Sequence, residues 1–302
     1  MLIRVGYEIT LACQQPTPLI CLMSVHPDAR GRLLAPEETS MEPMVPVQSY
    51  IDSFDNICRR LVAPAGGITL RSDAVIHDSG KPDPVDRTAE EWDVGRLPDD
   101  TLRFLLGSRY VETDLLSQTA WDMFGSVKPG WDRVEAIVAF VHNHLRFDYQ
   151  SARATRTAVE AYHERVGVCR DFAHLALGFL RAMNIPARYV NGYLGDIGVP
   201  PVPDAMDFSA WIEVFLGGEW HTFDPRHNAR RIGRVVVARG RDAADVPLIN
   251  SFGLHGLTGF RVWTDEVKDA PQGAVTPSFP SSPTASVPDD RARSGLCPTE
   301  DA

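Results

Sequence analysis

Along residues 2–13 apolar and polar side chains alternate, with Ile3, Val5, Tyr7, Ile9 and Leu11 on one side and Arg4, Glu8 and Thr10 on the other. A period of two is that of a half-buried strand. The chain is therefore expected to open on β structure and not on a signal peptide. "LICLMSVHP" after a Pro-rich turn, two strands around Asp55-Asn56 in "SYIDSFDNICRRLVAP", and "GGITLRSDAVIHD" continue in the same manner. Residues 1–80 read as an antiparallel β domain, and "DSGKPDPVDR" has the composition of a linker.

From about residue 98 the period lengthens. "PDDTLRFLLG" and "ETDLLSQTAWDMFG" predict helices, the second with Thr113 as N-cap. In "GWDRVEAIVAFVHNHLRF", Trp131, Val134, Ile137, Val138, Val141 and Leu145 fall on one helical stripe. "RTAVEAYHERVG" predicts a short helix ended by Gly167. The next helix begins at Cys169, buries Phe172, Ala176, Phe179, Leu180 and Met183, and stops near Asn184 ahead of Pro186. Strands follow: "ARYVNGYLG", "FSAWIEVFL", "EWHTFDP", "RVVVARG" and "TGFRVWTDEV". Helices followed by strands make an α+β second part. The expected layout is a β domain over 1–80, a linker with helices over 81–126, an α+β domain over 127–270, and a Pro- and Ser-rich disordered tail over 271–302.

Composition narrows the function classes. The chain has 302 residues, 44% of them hydrophobic, which suffices for a sizeable core and suggests two domains. A net charge of −10 argues against a nucleic acid or an anionic membrane as partner. No apolar run approaches the roughly 18 residues of a membrane span. The five cysteines (Cys13, Cys21, Cys58, Cys169 and Cys297) are odd in number, widely spaced and without a CxxC pair. That argues against a disulfide scaffold and structural zinc, and makes a reducing cytoplasm the simplest location. No residue set has metal-ligand spacing, so neither a metal nor a cofactor is expected. The oligomeric state is not legible.

"RVGVCRDFAHL" holds the candidate chemistry. Cys169 falls at a helix N-terminus, where unpaired backbone N–H groups favour a thiolate and lower the thiol pKa. The same groups could hold an oxyanion. Asp171, in the first turn, is expected to interact with its own helix terminus. The alternative is that Cys169 is a small buried apolar residue at a helix start.

"GVCRDFAHLALGFLRAMNIPARYVNGYL", followed about twenty residues later by "SAWIEVFLGGEWHTFDPRHN", resembles the bacterial transglutaminase-like superfamily, some of whose members are assigned as cysteine proteases. The resemblance covers roughly residues 127–265. It rests on three blocks in order: a Cys at a helix start, a His-Ala-Trp strand and a Phe-Asp-Pro strand end. It implies a papain-like transglutaminase core of helices packed on an antiparallel sheet, often preceded by a β-rich region like residues 1–80. It also implies acyl transfer or amide hydrolysis on a peptide or protein carboxamide. Carried over, Cys169 matches the nucleophile and Asp224 the residue that orients the imidazole. Where the family has His-Ala-Trp, this chain has Ser209-Ala210-Trp211.

If Gly217-Gly218 is a two-residue turn, Leu216 faces Glu219, Phe215 faces Trp220, Val214 faces His221 and Glu213 faces Thr222. Ser209, Trp211, Glu213, Thr222 and Asp224 then share one face, with Ser209 diagonal to Asp224. Ser209 thus occupies the histidine position but cannot accept a proton near neutral pH. Parity sends His221 to the opposite face. His174 lies about 140° round the helix from Cys169. The "HNH" at 142–144 sits in a helix without the hairpin a nuclease needs. His227, beyond Pro225, could fold back toward Asp224 as a substitute base, or be a loop side chain beside Arg226 and Asn228. Arg226, Arg230, Arg231, Arg234, Arg239 and Arg241 read as a solvated face, or else as a groove for an anion. Trp211, Phe215, Trp220, Phe223 and Trp263 read as core, and Asp196 as part of a loop bordering the cleft.

Two functions follow. One is a transglutaminase-like cysteine enzyme acting through a Cys169 thioester, with Asp224 as orienter and Ser209 in the histidine position. The other is a catalytically impaired relative that keeps the cleft to bind a peptide or scaffold a partner.

Overall fold

The computed structural model describes residues 1–202 and 206–268; the segment read as a tail, with Cys297, lies outside them. The N-terminal half gives β1 (Leu2–Cys13), β2 (Thr17–Cys21), the single turn α1 (Pro27–Arg30), β3 (Glu38–Glu42), β4 (Gln48–Ile51), β5 (Ile57–Ala63) and β6 (Ile68–His77). Helices then dominate: α2 (Thr113–Phe124), α3 (Trp131–His144), the short β7 (Arg146–Phe147), α4 (Ala158–Glu164), β8 (Val166–Gly167) and α5 (Cys169–Ala182). The chain continues through β9 (Ala187–Tyr193), β10 (Ser209–Leu216), β11 (Glu219–Phe223), β12 (Val235–Gly240), β13 (Ile249–Ser251) and β14 (His255–Val267). The class is α+β, with antiparallel four-stranded sheets, as the alternation and the change of period predict.

In β1 the apolar set Ile3, Val5, Tyr7, Ile9 and Leu11 is buried, and its alternation fixes the register against β6 from Leu2↔His77 to Leu11↔Ile68. Two N-terminal sheets have the orders β14-β1-β6-β3 and β13-β2-β5-β4. Each is completed by a strand from the far end of the described chain. β14 lines up on β1 from Leu2↔Val267 to Cys13↔His255, and β13 pairs with β2. Alternation identified "TGFRVWTDEV" as a strand, but a period of two does not say which sheet a strand joins. The described residues fall within one compact unit.

The third sheet, of order β11-β10-β9-β12, carries the candidate site. α5 packs on it and is buried nearly all round from Asp171 to Arg181, a central helix whose polar side chains Asp171, His174 and Arg181 are buried with the apolar ones. Asn184, at φ 64°, ends it where predicted. Three local details differ from the sequence expectation. "PDDTLRFLLG" forms a 3-10 turn over Asp99–Phe104, Glu112 and not Thr113 is the N-cap of α2, and α4 ends on left-handed Arg165. Gly167 is needed for space, since a Cβ there would lie 2.6 Å from the Cβ of Asp171.

Asn56 ties the N-terminal sheets to the third sheet. It is fully buried, its Nδ2 donates to the Arg239 carbonyl at 2.8 Å, and its Oδ1 accepts the Arg239 N–H at 2.8 Å. His26 sits at the same seam, its backbone N–H donating to Val236 at 2.9 Å. Burial, with Arg239 beside it, pushes the His26 imidazole down to about 4, against an opposing pull from Asp28. The unfolded chain protonates this ring near the usual value of about 6.5. A depressed folded value means the contribution to stability is complete above about pH 6.5 and is lost as pH falls toward the folded value. The thermal midpoint is expected to drop between about pH 7 and pH 5, and His26→Gln to flatten that slope. A slope unchanged in the variant, followed by circular dichroism, would place the titration elsewhere.

Candidate active site

Cys169 opens α5 and is half-buried, whereas Cys13, Cys21 and Cys58 are buried in the N-terminal sheets. Asp171 faces its own helix terminus, as expected. Its Oδ2 accepts the Val168 N–H at 2.9 Å and the Arg156 guanidinium at 2.9 Å. The backbone N–H groups of Ala210 and Arg170 lie near the Cys169 sulfur, with Arg226 and Asp207 close by. Burial nevertheless pushes the thiol above its ordinary value; Arg226 and the two N–H groups offset only part of the rise, and Asp207 adds to it. This corrects the expectation of a lowered thiol. The helix tip and cation favour the anion, but desolvation outweighs them.

The hairpin has the register that parity predicted: Leu216↔Glu219, Phe215↔Trp220, Val214↔His221 and Glu213↔Thr222. Gly217 at φ 61° and Gly218 at φ 94° form the two-residue turn, a conformation that favours glycine. His221 points away from the site, its Nε2 donating to the Leu216 carbonyl at 3.1 Å and its ring meeting Trp131 edge-on. His174 is buried, accepts the Ala243 N–H at Nε2 (3.2 Å) and stacks on Tyr110. The histidines of "HNH" brace carbonyls: His142 donates to Arg226 at 2.9 Å and His144 to Tyr162 at 2.7 Å. Among the described residues no cluster could hold a metal ion.

The turn after β11 builds a dyad. Asp224 Oδ1 accepts the His227 backbone N–H at 3.0 Å, and Oδ2 accepts the ring Nδ1–H at 2.8 Å. Arg234 Nη2 donates to the same Oδ2 at 2.9 Å. Burial alone would raise the Asp224 carboxyl, but Arg234 and His227 hold it well below the usual carboxylate range. Asp83, from the segment read as linker, pairs with Arg234 at 3.0 Å and accepts the Arg231 N–H at 2.9 Å. Asp83, Arg234, Asp224 and His227 thus form a continuous chain of contacts. Of the two readings of His227, the structure has it folded back on Asp224.

Ser209 is 6% exposed, and its Oγ has no hydrogen-bond partner among the described residues. It lines a cavity of about 340 Å³ together with His227, Arg226 and Asp207. Cys169 adjoins this cavity through Arg226, Asp207 and the Ala210 N–H. Asp196, on the rim as expected, lies 3.6 Å from Arg231. Three members of the arginine cluster, Arg234, Arg239 and Arg241, are held in ion pairs and do not form a free solvated face. Arg234 pairs with Asp224 and Asp83, Arg239 with Glu213, and Arg241 with Asp245. Trp211 and Phe223 are buried, as expected of core. Sequence reasoning missed Asp207, whose parity with Ser209 in "MDFSAW" is a usable signal, and Asp83, for which linker composition gives none.

A family model, Transglutaminase-like superfamily, matches residues 117–225. An uncharacterized protein of Mycobacterium leprae is 38% identical over 182 residues, covering 51% of this chain and 65% of that protein. An uncharacterized protein of Mycobacterium bovis is 30% identical over 217 residues, covering 65% of this chain and 68% of that one. These matches thus span about two thirds of the length of both relatives. A crystal structure described as that of a "putative cysteine protease" from Cytophaga hutchinsonii superposes with a TM-score of 0.76 at 28% identity, covering 90% of this chain and 93% of the other. Among the described residues no helix is long and apolar enough to cross a membrane. With the Cys169 helix, the Ser209 strand and the Phe223-Asp224-Pro225 end all inside the matched region, the chain belongs to the transglutaminase-like superfamily.

Proposed function

We propose that the chain is a cysteine-dependent amide hydrolase or acyl transferase, with Cys169 as nucleophile and His227, oriented by Asp224, as the base. The observation that carries this reading is the 2.8 Å contact between His227 Nδ1 and Asp224 Oδ2. With Nδ1–H held by the carboxylate, Nε2 is the nitrogen left to accept a proton. His227 Nε2 takes the thiol proton as the sulfur attacks the substrate carbonyl carbon. The proton then passes to the departing amine, and the acyl group remains as a thioester. Water or a second amine attacks the thioester and returns the thiol. The N–H groups that face the sulfur region are placed to stabilise charge on the carbonyl oxygen. The substrate would be a peptide or protein carboxamide, as in the family.

An active site that keeps its thiol protonated until substrate arrives fits the upward shift of Cys169. The transfer is then concerted with attack and does not start from a standing thiolate. The test is acylation with 4-nitrophenyl acetate. The expected result is a burst of nitrophenolate and one acetyl group on the peptide containing Cys169, both absent in Cys169→Ala. A folded chain that acquires no acetyl group at Cys169 supports the second reading, a peptide-binding cleft without turnover. Ser209 in the family's histidine position is the observation that favours that alternative.

A further inference from the structure

Asp224-Pro225-Arg226-His227-Asn228 forms one closed turn. The Asn228 N–H donates to the Asp224 carbonyl at 2.8 Å, a bond from residue i+4 back to residue i. Within it Asp224 acts as a cap, with Oδ1 accepting the His227 N–H and Oδ2 accepting the ring. Pro225 follows the cap, where its missing N–H costs nothing and its fixed φ suits the turn. Asn228 has φ 47°, in the left-handed region, and closes the turn as such a residue closes the end of a helix.

Both flanks of the turn are anchored elsewhere in the fold. The Arg226 carbonyl accepts His142 Nδ1 from α3 at 2.9 Å; a carbonyl can only accept, so Nδ1 of His142 carries a proton. Past the turn, the Arg231 N–H donates to Asp83 Oδ2 at 2.9 Å, and the Asp83 N–H donates to the Arg231 carbonyl at 2.9 Å. Between these anchors the chain changes direction, and Asn228 is the residue of 224–231 with a positive φ. That conformation is disfavoured for residues with a Cβ, most of all β-branched ones, and least for glycine and asparagine.

We propose that Asn228 is a positioning residue for the dyad. Its left-handed backbone closes the turn and so holds the His227 ring on Asp224, with Nε2 turned from the carboxylate. The role belongs to the main chain and not to the amide. Asn228 also lines a cavity of about 310 Å³ with Asp224 and Trp131, which makes contact between its amide and a ligand the rival role. An effect on acylation rests on His227 as the base assigned above; the placement of the ring does not.

The test compares Asn228→Gly with Asn228→Val in the full chain by two readouts. One is the rate of Cys169 acetylation by 4-nitrophenyl acetate. The other is the tautomer of neutral His227, read from nitrogen chemical shifts of isotope-labelled histidine and assigned by the signal lost in His227→Ala. The unsubstituted chain is expected to show a protonated Nδ1 and a bare Nε2. Asn228→Gly is expected to keep that tautomer and a rate within about threefold, because glycine takes a positive φ without steric cost. Asn228→Val is expected to give mixed tautomers and a rate about tenfold lower, the factor by which the left-handed penalty depopulates the closed turn. Should Asn228→Val not fold, Asn228→Ala takes its place, with a smaller change in the same direction. Equal losses in the glycine and valine variants would assign the role to the amide and overturn the proposal. So would a valine variant with both parent values, or one that loses rate with its tautomer unchanged. Tautomers that respond as expected in a chain that acquires no acetyl group keep the positioning role and remove the catalytic reading alone. Acetylation with tautomers that do not respond removes the positioning role alone.

Discussion

His227→Ala is expected to lower kcat/KM for an amide substrate by about 10²- to 10⁴-fold while leaving the fold intact, the usual range for removing a positioned general base. The ring is partly exposed and lies on a turn, so its removal takes little from the core. Asp224 keeps Arg234 as a partner in the variant. The thermal midpoint should therefore move little while activity collapses. That separation marks a proton-transfer role and not a structural one. Activity retained to within about threefold, against this expected loss, would mean the proton goes elsewhere. Asp207, the other titratable group beside the sulfur, would then be the residue to replace next.

Glu213→Ala is expected to be the most destabilising single change in the third sheet. Glu213 is 6% exposed; its Oε2 accepts Arg188 at 2.6 Å and Arg239 at 2.9 Å. Burial alone would raise its carboxyl, but Arg188 and Arg239 hold it below the ordinary range. Removing the carboxylate leaves two largely buried guanidiniums, of which, among the described residues, only Arg239 keeps a carboxylate, that of Asp28. Breaking a buried pair from one side costs about 3–5 kcal/mol. Chemical denaturation should show a loss of this size, with a smaller one for Glu213→Gln, which keeps the hydrogen-bonding shape. A loss under about 1 kcal/mol would mean the network is solvated enough to behave as a surface pair. Because Arg239 also spans to Asn56, the variant is expected to loosen the seam between the N-terminal sheets and the third sheet.

Much of this could be read from the chain, because the deciding interactions are local. Alternation in residues 2–13 fixed which face of β1 is buried, and Gly217-Gly218 fixed the hairpin register. From that register, parity alone put His221 on the wrong face. The helix start at Cys169 followed from apolar spacing. The family blocks placed Asp224 and showed Ser209 where a histidine was expected. Strand membership was different. β14 was visible as a strand and β13 was not, and the partner of a strand depends on contacts more than 200 residues away in sequence, such as Leu2↔Val267.

The site divides along the same line. The sequence by itself determined the helix start at Cys169 and the shared face of Ser209 and Asp224, which depend on periods of 3.6 and two, while the resemblance to the family blocks supplied their roles and the missing histidine. Only the tertiary structure decided what surrounds them. It folded His227 back on Asp224, brought Asp83 from the linker onto Arg234, and set Arg226 and Asp207 along one cavity. It also reversed the sign of the Cys169 shift, because desolvation depends on everything packed around the sulfur and the helix tip supplies only one part of that field.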